Sequence, residues 1–185
     1  MKKRKMQKIK GAIIAIMVVF SMLFVNMQPV YAVGNNDAEV EAEIAKKKAA
    51  GIEIYELTDK DGVIVGYIES GAEVQENELS RYTKYSFTWD DVPSNTNVWN
   101  KSYCHSFAKG DKMYATIYQN PSGTGHYSCL GVWNREKDEL YFSEASLSTN
   151  GWNNVTINIT WAGHYALAIG NLSSGKQSYS GSYWF

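Results

Sequence analysis

From residue 85 onward no stretch places its apolar residues at helical spacing; short β-rich runs alternate with turn chemistry instead. The runs are 85–89, 102–108, 113–119, 126–134, 139–144, 153–161, 164–170 and 177–185. Between them stand Lys109-Gly110-Asp111, Asn120-Pro121-Ser122-Gly123, Asn150-Gly151, Ala162-Gly163 and Ser173-Ser174-Gly175. The glycine in each tolerates a positive φ, and the Asn, Asp and Ser side chains bond their own backbone. Many short strands with short turns cannot bury a helix-type stripe. The predicted fold class is therefore all-β, an antiparallel sandwich of jelly-roll type.

The first 32 residues read as a different object. Met1-Lys2-Lys3-Arg4-Lys5, with Lys8 and Lys10, precedes an uncharged, mostly apolar run from Gly11 to Val25, and Val30-Tyr31-Ala32 offers a small-residue cleavage site. Basic, apolar, then cleavable is the secretory order. The apolar run is shorter than the roughly 20 residues a spanning helix needs. We expect a signal peptide over residues 1–32, a secreted product and no stable membrane anchor after cleavage. Six of the 18 basic residues lie in that segment, leaving 12 against 19 acids, a net charge of −7. Such an acidic chain lacks the clustered Lys and Arg that bind nucleic acid.

Residues 33–84 carry 12 acids and 6 bases with three aromatics, whereas 85–185 carry 19 aromatics, including all six tryptophans. Composition thus suggests an acidic N-terminal arm over 33–84, removable as a pro-segment, and a folded body over 85–185. Within the arm, Asp37 can cap a helix with Glu39, Glu41 and Glu43 early, Lys46, Lys47 and Lys48 late, and Gly51 at its exit. Residues 52–57 and 63–68, joined through Asp59-Lys60-Asp61-Gly62, predict a β-hairpin, and 70–84 a linker.

Alternation assigns faces. Val155, Ile157, Ile159 and Trp161 point one way, Thr156, Asn158 and Thr160 the other. Tyr165, Leu167 and Ile169 continue the core, as do Leu130 and Val132, which turns Tyr127, Cys129 and Trp133 outward. Cys104 and Cys129 therefore fall on outer faces, and outside the cytoplasm they either form one bridge or remain two thiols.

Two segments carry a resemblance. Phe107-Ala108-Lys109-Gly110-Asp111 before a strand, and Val155 to Leu167 through Ala162-Gly163-His164-Tyr165, resemble bacterial pre-peptidase C-terminal type β-sandwiches. The likeness spans about the last hundred residues and implies a sandwich closed near the C-terminus. Such modules often carry an Asp-rich strand that holds calcium. Here that strand reads Ser128-Cys129-Leu130-Gly131-Val132-Trp133-Asn134, so calcium is not carried over.

Catalytic chemistry has little to build on. Cys104 and His105 are strand neighbours and point to opposite faces, and His105, His126 and His164 lack metal-ligand spacing. Asp90 and Asp91 with Asn95 and Asn97 could offer oxygens to calcium, but read equally as a polar loop. The acids of the body cluster at Asp90-Asp91 and Glu136-Asp138-Glu139, with nothing to bring them face to face for glycoside cleavage. We expect no catalytic residues, metal or cofactor.

The aromatics are more informative. Tyr114, Tyr118, Tyr127, Trp133 and Trp184 point outward by parity, and Trp99 and Trp152 fall in expected loops. Exposed Trp and Tyr stack on sugar rings or anchor protein partners, although strands also use them to fill cross-strand pairs. The leading expectation is a secreted, non-enzymatic binding module for a glycan or a cell-surface protein. Its candidate ligand-binding residues are Trp99, Trp133 and Trp152, with Asn134 and Asn153 as hydrogen-bonding partners. The alternatives are a bacteriocin- or toxin-like antagonist released from its acidic segment, and a small secreted hydrolase.

Overall fold

The computed structural model describes residues 37–71, 82–121, 125–146 and 152–185. The signal segment, most of the expected linker, Ser122-Gly123 and the Asn150-Gly151 turn lie outside the described residues. Gly34–Phe185 forms one compact unit.

Helix α1 (Ala38–Ala49) begins as its sequence directs. Asp37 accepts a hydrogen bond from the Glu39 amide at 3.0 Å, acids occupy the first turn and lysines the last. Val40 and Ile44 pack on Ile54 and Tyr67, and the Tyr67 hydroxyl donates to Glu43 at 2.8 Å. The hairpin follows as β1 (Ile54–Thr58) and β2 (Ile64–Ser70). Asp59 accepts from the Asp61 and Val63 amides and tightens its turn.

The remaining strands are β3 (Lys84–Val92), β4 (Thr96–Trp99), β5 (His105–Phe107), β6 (Lys112–Asn120), β7 (Ser128–Asn134), β8 (Glu139–Ser146), β9 (Trp152–Ile159), β10 (Gly163–Asn171) and β11 (Gln177–Trp184). They form two antiparallel sheets. One runs β1-β2-β9-β6-β11-β3; the other runs β4-β10-β7-β8, with β5 beside β4 along the same edge of β10. The all-β, sandwich-like class expected from the turn spacing is what the chain adopts.

Between the sheets lies one core that includes Met113, Ile117, Leu130, Val132, Val155, Ile157, Leu167 and Ile169. Leu57, Val65 and Ile68 of the hairpin belong to that same core. Ile68 is the cross-strand partner of Ile157, and β2 pairs with β9 along its length. What composition separates at residue 84, the sheet joins. Residues 102–108 divide into a 3-10 turn (Lys101–Tyr103) and β5, while 96–99, expected as loop, is a strand. Trp161, expected in the core, is 46% exposed because β9 ends two residues before it.

Of the two alternatives left open for Cys104 and Cys129, the structure has two free thiols and no bridge between them. Cys129 is buried and donates its thiol to the Gly170 carbonyl at 3.7 Å. Cys104 instead feels the charges of Arg135 and Glu136, just past the opposite end of β7. Six residues of strand span roughly 20 Å, against the roughly 4–7 Å between the Cα atoms of a disulfide. A bridge closing this loop would add about 3–4 kcal/mol, raising Tm by roughly 2–4 °C per kcal/mol. Thermal unfolding is therefore expected to give the same Tm with and without reductant. A drop of several degrees on reduction would show a bonded pair.

Candidate functional site

At one end of the sandwich the aromatic residues that composition shows in excess stack into a plug. Its hub is Phe185, held by the Thr83 amide donating to its carbonyl at 2.9 Å. Its ring centroid lies 4.0 Å from His105, 5.0 Å from Tyr85, 5.4 Å from Phe107 and 5.8 Å from Tyr183. Pairs at such separations gain energy beyond area burial. Much of the aromatic content thus fills and closes the fold.

A cleft of about 440 Å³ opens on this plug. Phe185, Phe107 and His105 line it, with the turn residues Gly110 and Asp111 and with Lys112, Tyr114 and Tyr82. The turn is shaped by Asp111, whose carboxylate accepts from the Ala108 amide at 2.7 Å and whose carbonyl accepts from Ile159. Lys109 in the same turn pairs with the α1 cap residue Asp37. Tyr82 is 39% exposed and meets Tyr114 edge to face, with ring centroids 5.5 Å apart. Burial of one ring face against Phe185 holds the His105 imidazole below its ordinary pKa, while Asp111 pulls the other way. The cleft thus combines exposed ring faces with a carboxylate, an ammonium, a neutral imidazole and two phenols. Its volume is within the roughly 300–1,000 Å³ usual for ligand pockets.

The residues singled out from sequence lie elsewhere. Trp99 and Trp133 do come together on the outer face of the smaller sheet, with ring centroids 6.2 Å apart. Lys101 sits over both rings, 5.1 and 5.7 Å from their centroids, and Trp133 is buried with its indole N–H donating to Asp138 at 3.0 Å. Trp152 is on the other sheet, in backbone register with Tyr118; its side chain is outside the described set. Asn134 faces the core side and caps the β7–β8 turn by accepting from the Lys137 amide at 3.0 Å. Asn153 is likewise buried, on the face it shares with Val155 and Ile157. The parity that puts Val132 and Val155 inward already places these two asparagines inward.

The groups weighed for catalysis are dispersed. Burial pushes both cysteine thiols up, away from the thiolate a nucleophile needs. His126 bonds Gln177 at 2.7 Å, and His164 pairs with Glu136. Asp90 and Asp91 end the edge strand β3, whereas Glu136, Asp138 and Glu139 belong to the hairpin of the other sheet. Among the described residues no three His, Cys, Asp or Glu side chains converge as a metal site.

Two cleft residues carry no strong sequence signal. Tyr82 sits in the expected linker, and Lys112 borders a turn. Tyr114 is visible as an outward aromatic. No protein-family model matches the chain, and no curated protein matches it.

Proposed function

We propose that this protein is a secreted, non-enzymatic binding module that holds a glycan at the end cleft. The observation that carries the reading is the pair Tyr82 and Tyr114, half-exposed rings at the mouth of a cleft that also presents Asp111, Lys112 and His105. A sugar ring has an apolar C–H face and a rim of hydroxyls that both donate and accept. Aromatic faces take the first and mixed polar groups the second. The Trp99–Trp133 pair fits less well, because Lys101 already covers the rings. Export follows from the N-terminal pattern, and the acidic charge after cleavage favours a neutral ligand over an anionic one.

A glycan array probed with wild type and with Tyr114→Ala tests this. Loss of one stacking ring is expected to weaken binding about tenfold, or about 1.4 kcal/mol, and Tyr82→Ala to weaken it less. Trp99→Ala is expected to leave the profile unchanged. An array with no hits, or hits that Tyr114→Ala retains in full, would remove the reading.

A further inference from the structure

We propose that the ligand is an extended, uncharged β-1,4-linked glycan chain, which leaves the end cleft and runs along β6 and β11 over the outer face of the larger sheet. The inference rests on the glycan reading above and adds the chain's class and path.

Alternate residues of β6 fill the core, so Tyr114, Thr116 and Tyr118 share the outer face. Tyr114 belongs to the cleft, and the row continues directly from it. Same-face residues of a strand are about 6.7 Å apart, placing Tyr114 and Tyr118 roughly 13 Å apart. One sugar ring cannot touch both; a chain can. The row lies on a sheet whose β6 pairs with β9 and β11 without a bulge, which suits an extended ribbon with ring faces turned to the aromatics rather than a coiled or branched glycan.

Between the two tyrosines lies a band of neutral hydrogen-bonding groups. Thr116 is in register with Ser182 on β11 and with Asn154 on β9, and Ser182 with Ser86 on β3. The Ser86 and Ser182 hydroxyls are 3.1 Å apart, so one proton joins them and the other remains to donate. Thr116 donates to the Asn154 side-chain carbonyl at 2.9 Å, which leaves the threonine oxygen as an acceptor and the asparagine NH₂ as a donor. Donors and acceptors interleave across four strands, as sugar hydroxyls require. The outward positions of β6 from Tyr114 to Asn120, and of β11 from Ser178 to Trp184, carry no charge. Lys84 of β3 lies over the Trp184 ring, 5.2 Å from its centroid, at the cleft end of β11, and the uncharged stretch runs from there past Thr116 to Tyr118.

Calorimetric titration of the full chain with cellohexaose and chitohexaose, each beside its disaccharide, tests the proposal. One hexasaccharide is expected to bind at least tenfold more tightly than its disaccharide. Tyr118→Ala and Thr116→Val should each remove most of that gain and leave disaccharide binding unchanged. Tyr118→Phe, which keeps the ring, should retain it, and an unaltered Tm shows that each variant is folded. Equal binding of hexasaccharide and disaccharide, or a gain that survives both substitutions, would confine the ligand to the cleft and overturn the path while sparing the glycan reading. Binding of other array glycans but of neither hexasaccharide would overturn the β-1,4 assignment. An array without hits would remove both readings.

Discussion

Residues 85–185 produced without the preceding hairpin are expected to aggregate, or to unfold without a cooperative transition, while residues 33–185 unfold as one unit. Leu57, Val65 and Ile68 are each no more than 1% exposed and pack in the core between the sheets. Each fully buried aliphatic side chain contributes about 1.5–3 kcal/mol, so their loss removes roughly 5–9 kcal/mol. That rivals the roughly 5–15 kcal/mol total stability of an ordinary domain. Truncation would also strip β2 from β9, turning a paired strand with Val155, Ile157 and Ile159 on its core face into a bare edge that invites association. Leu57→Ala in the intact protein isolates the packing part and is expected to cost about 2–5 kcal/mol by urea unfolding. A 101-residue fragment with the stability of the longer chain would show that the hairpin is an appendage, and would restore the idea of a removable pro-segment.

Gly181→Ala is expected to be the most damaging single methyl group in the larger sheet. A Cβ there would lie 2.0 Å from the Thr116 carbonyl oxygen and 3.2 Å from the Ile117 Cα. Both obstacles are backbone, so no rotamer relieves them, and β6 and β11 would have to separate. Overpacking of this kind costs about 3 kcal/mol or more. Gly131→Ala meets the same problem in the smaller sheet, 2.0 Å from the Tyr141 carbonyl oxygen with the Phe142 ring close behind. Gly175→Ala points into open space and should stay within about 0.5 kcal/mol of wild type. The Gly181 contact also fixes the closeness of β6 and β11, the two strands of the proposed glycan path. A partly folded Gly181→Ala protein should therefore lose hexasaccharide binding before it loses its secondary structure. Wild-type stability in Gly181→Ala would mean that the two strands are further apart than described.

The fold class was legible because strand period and turn residues are local. Asp37, the lysines at the helix end and the Asp59–Gly62 turn each act within a few residues, and they mark α1 and the β1–β2 hairpin correctly. The join between hairpin and body was not legible. It rests on β2 pairing with β9, some ninety residues away, and composition carries no trace of such a pairing. β4 escaped because Thr96–Trp99 is short and follows Pro93-Ser94-Asn95, which reads as a turn. The candidate site shows the same division. Outward parity finds Tyr114 and Tyr118 from the strand alone, whereas Tyr82 and Lys112 become neighbours only when β3 and β6 take their places in the sheet. Trp99 and Trp133 are large and near the surface, yet no sequence rule shows that Lys101 lies across them.

The most direct test of the binding account is an amide NMR titration of the protein with whichever glycan the array selects. Shifts are predicted at residues 105–107 and 110–118 and along 180–185, the cleft and the strands that lead from it. Shifts gathered instead around Trp99, Lys101 and Trp133, with the cleft silent, would contradict the account and return the site to the opposite sheet.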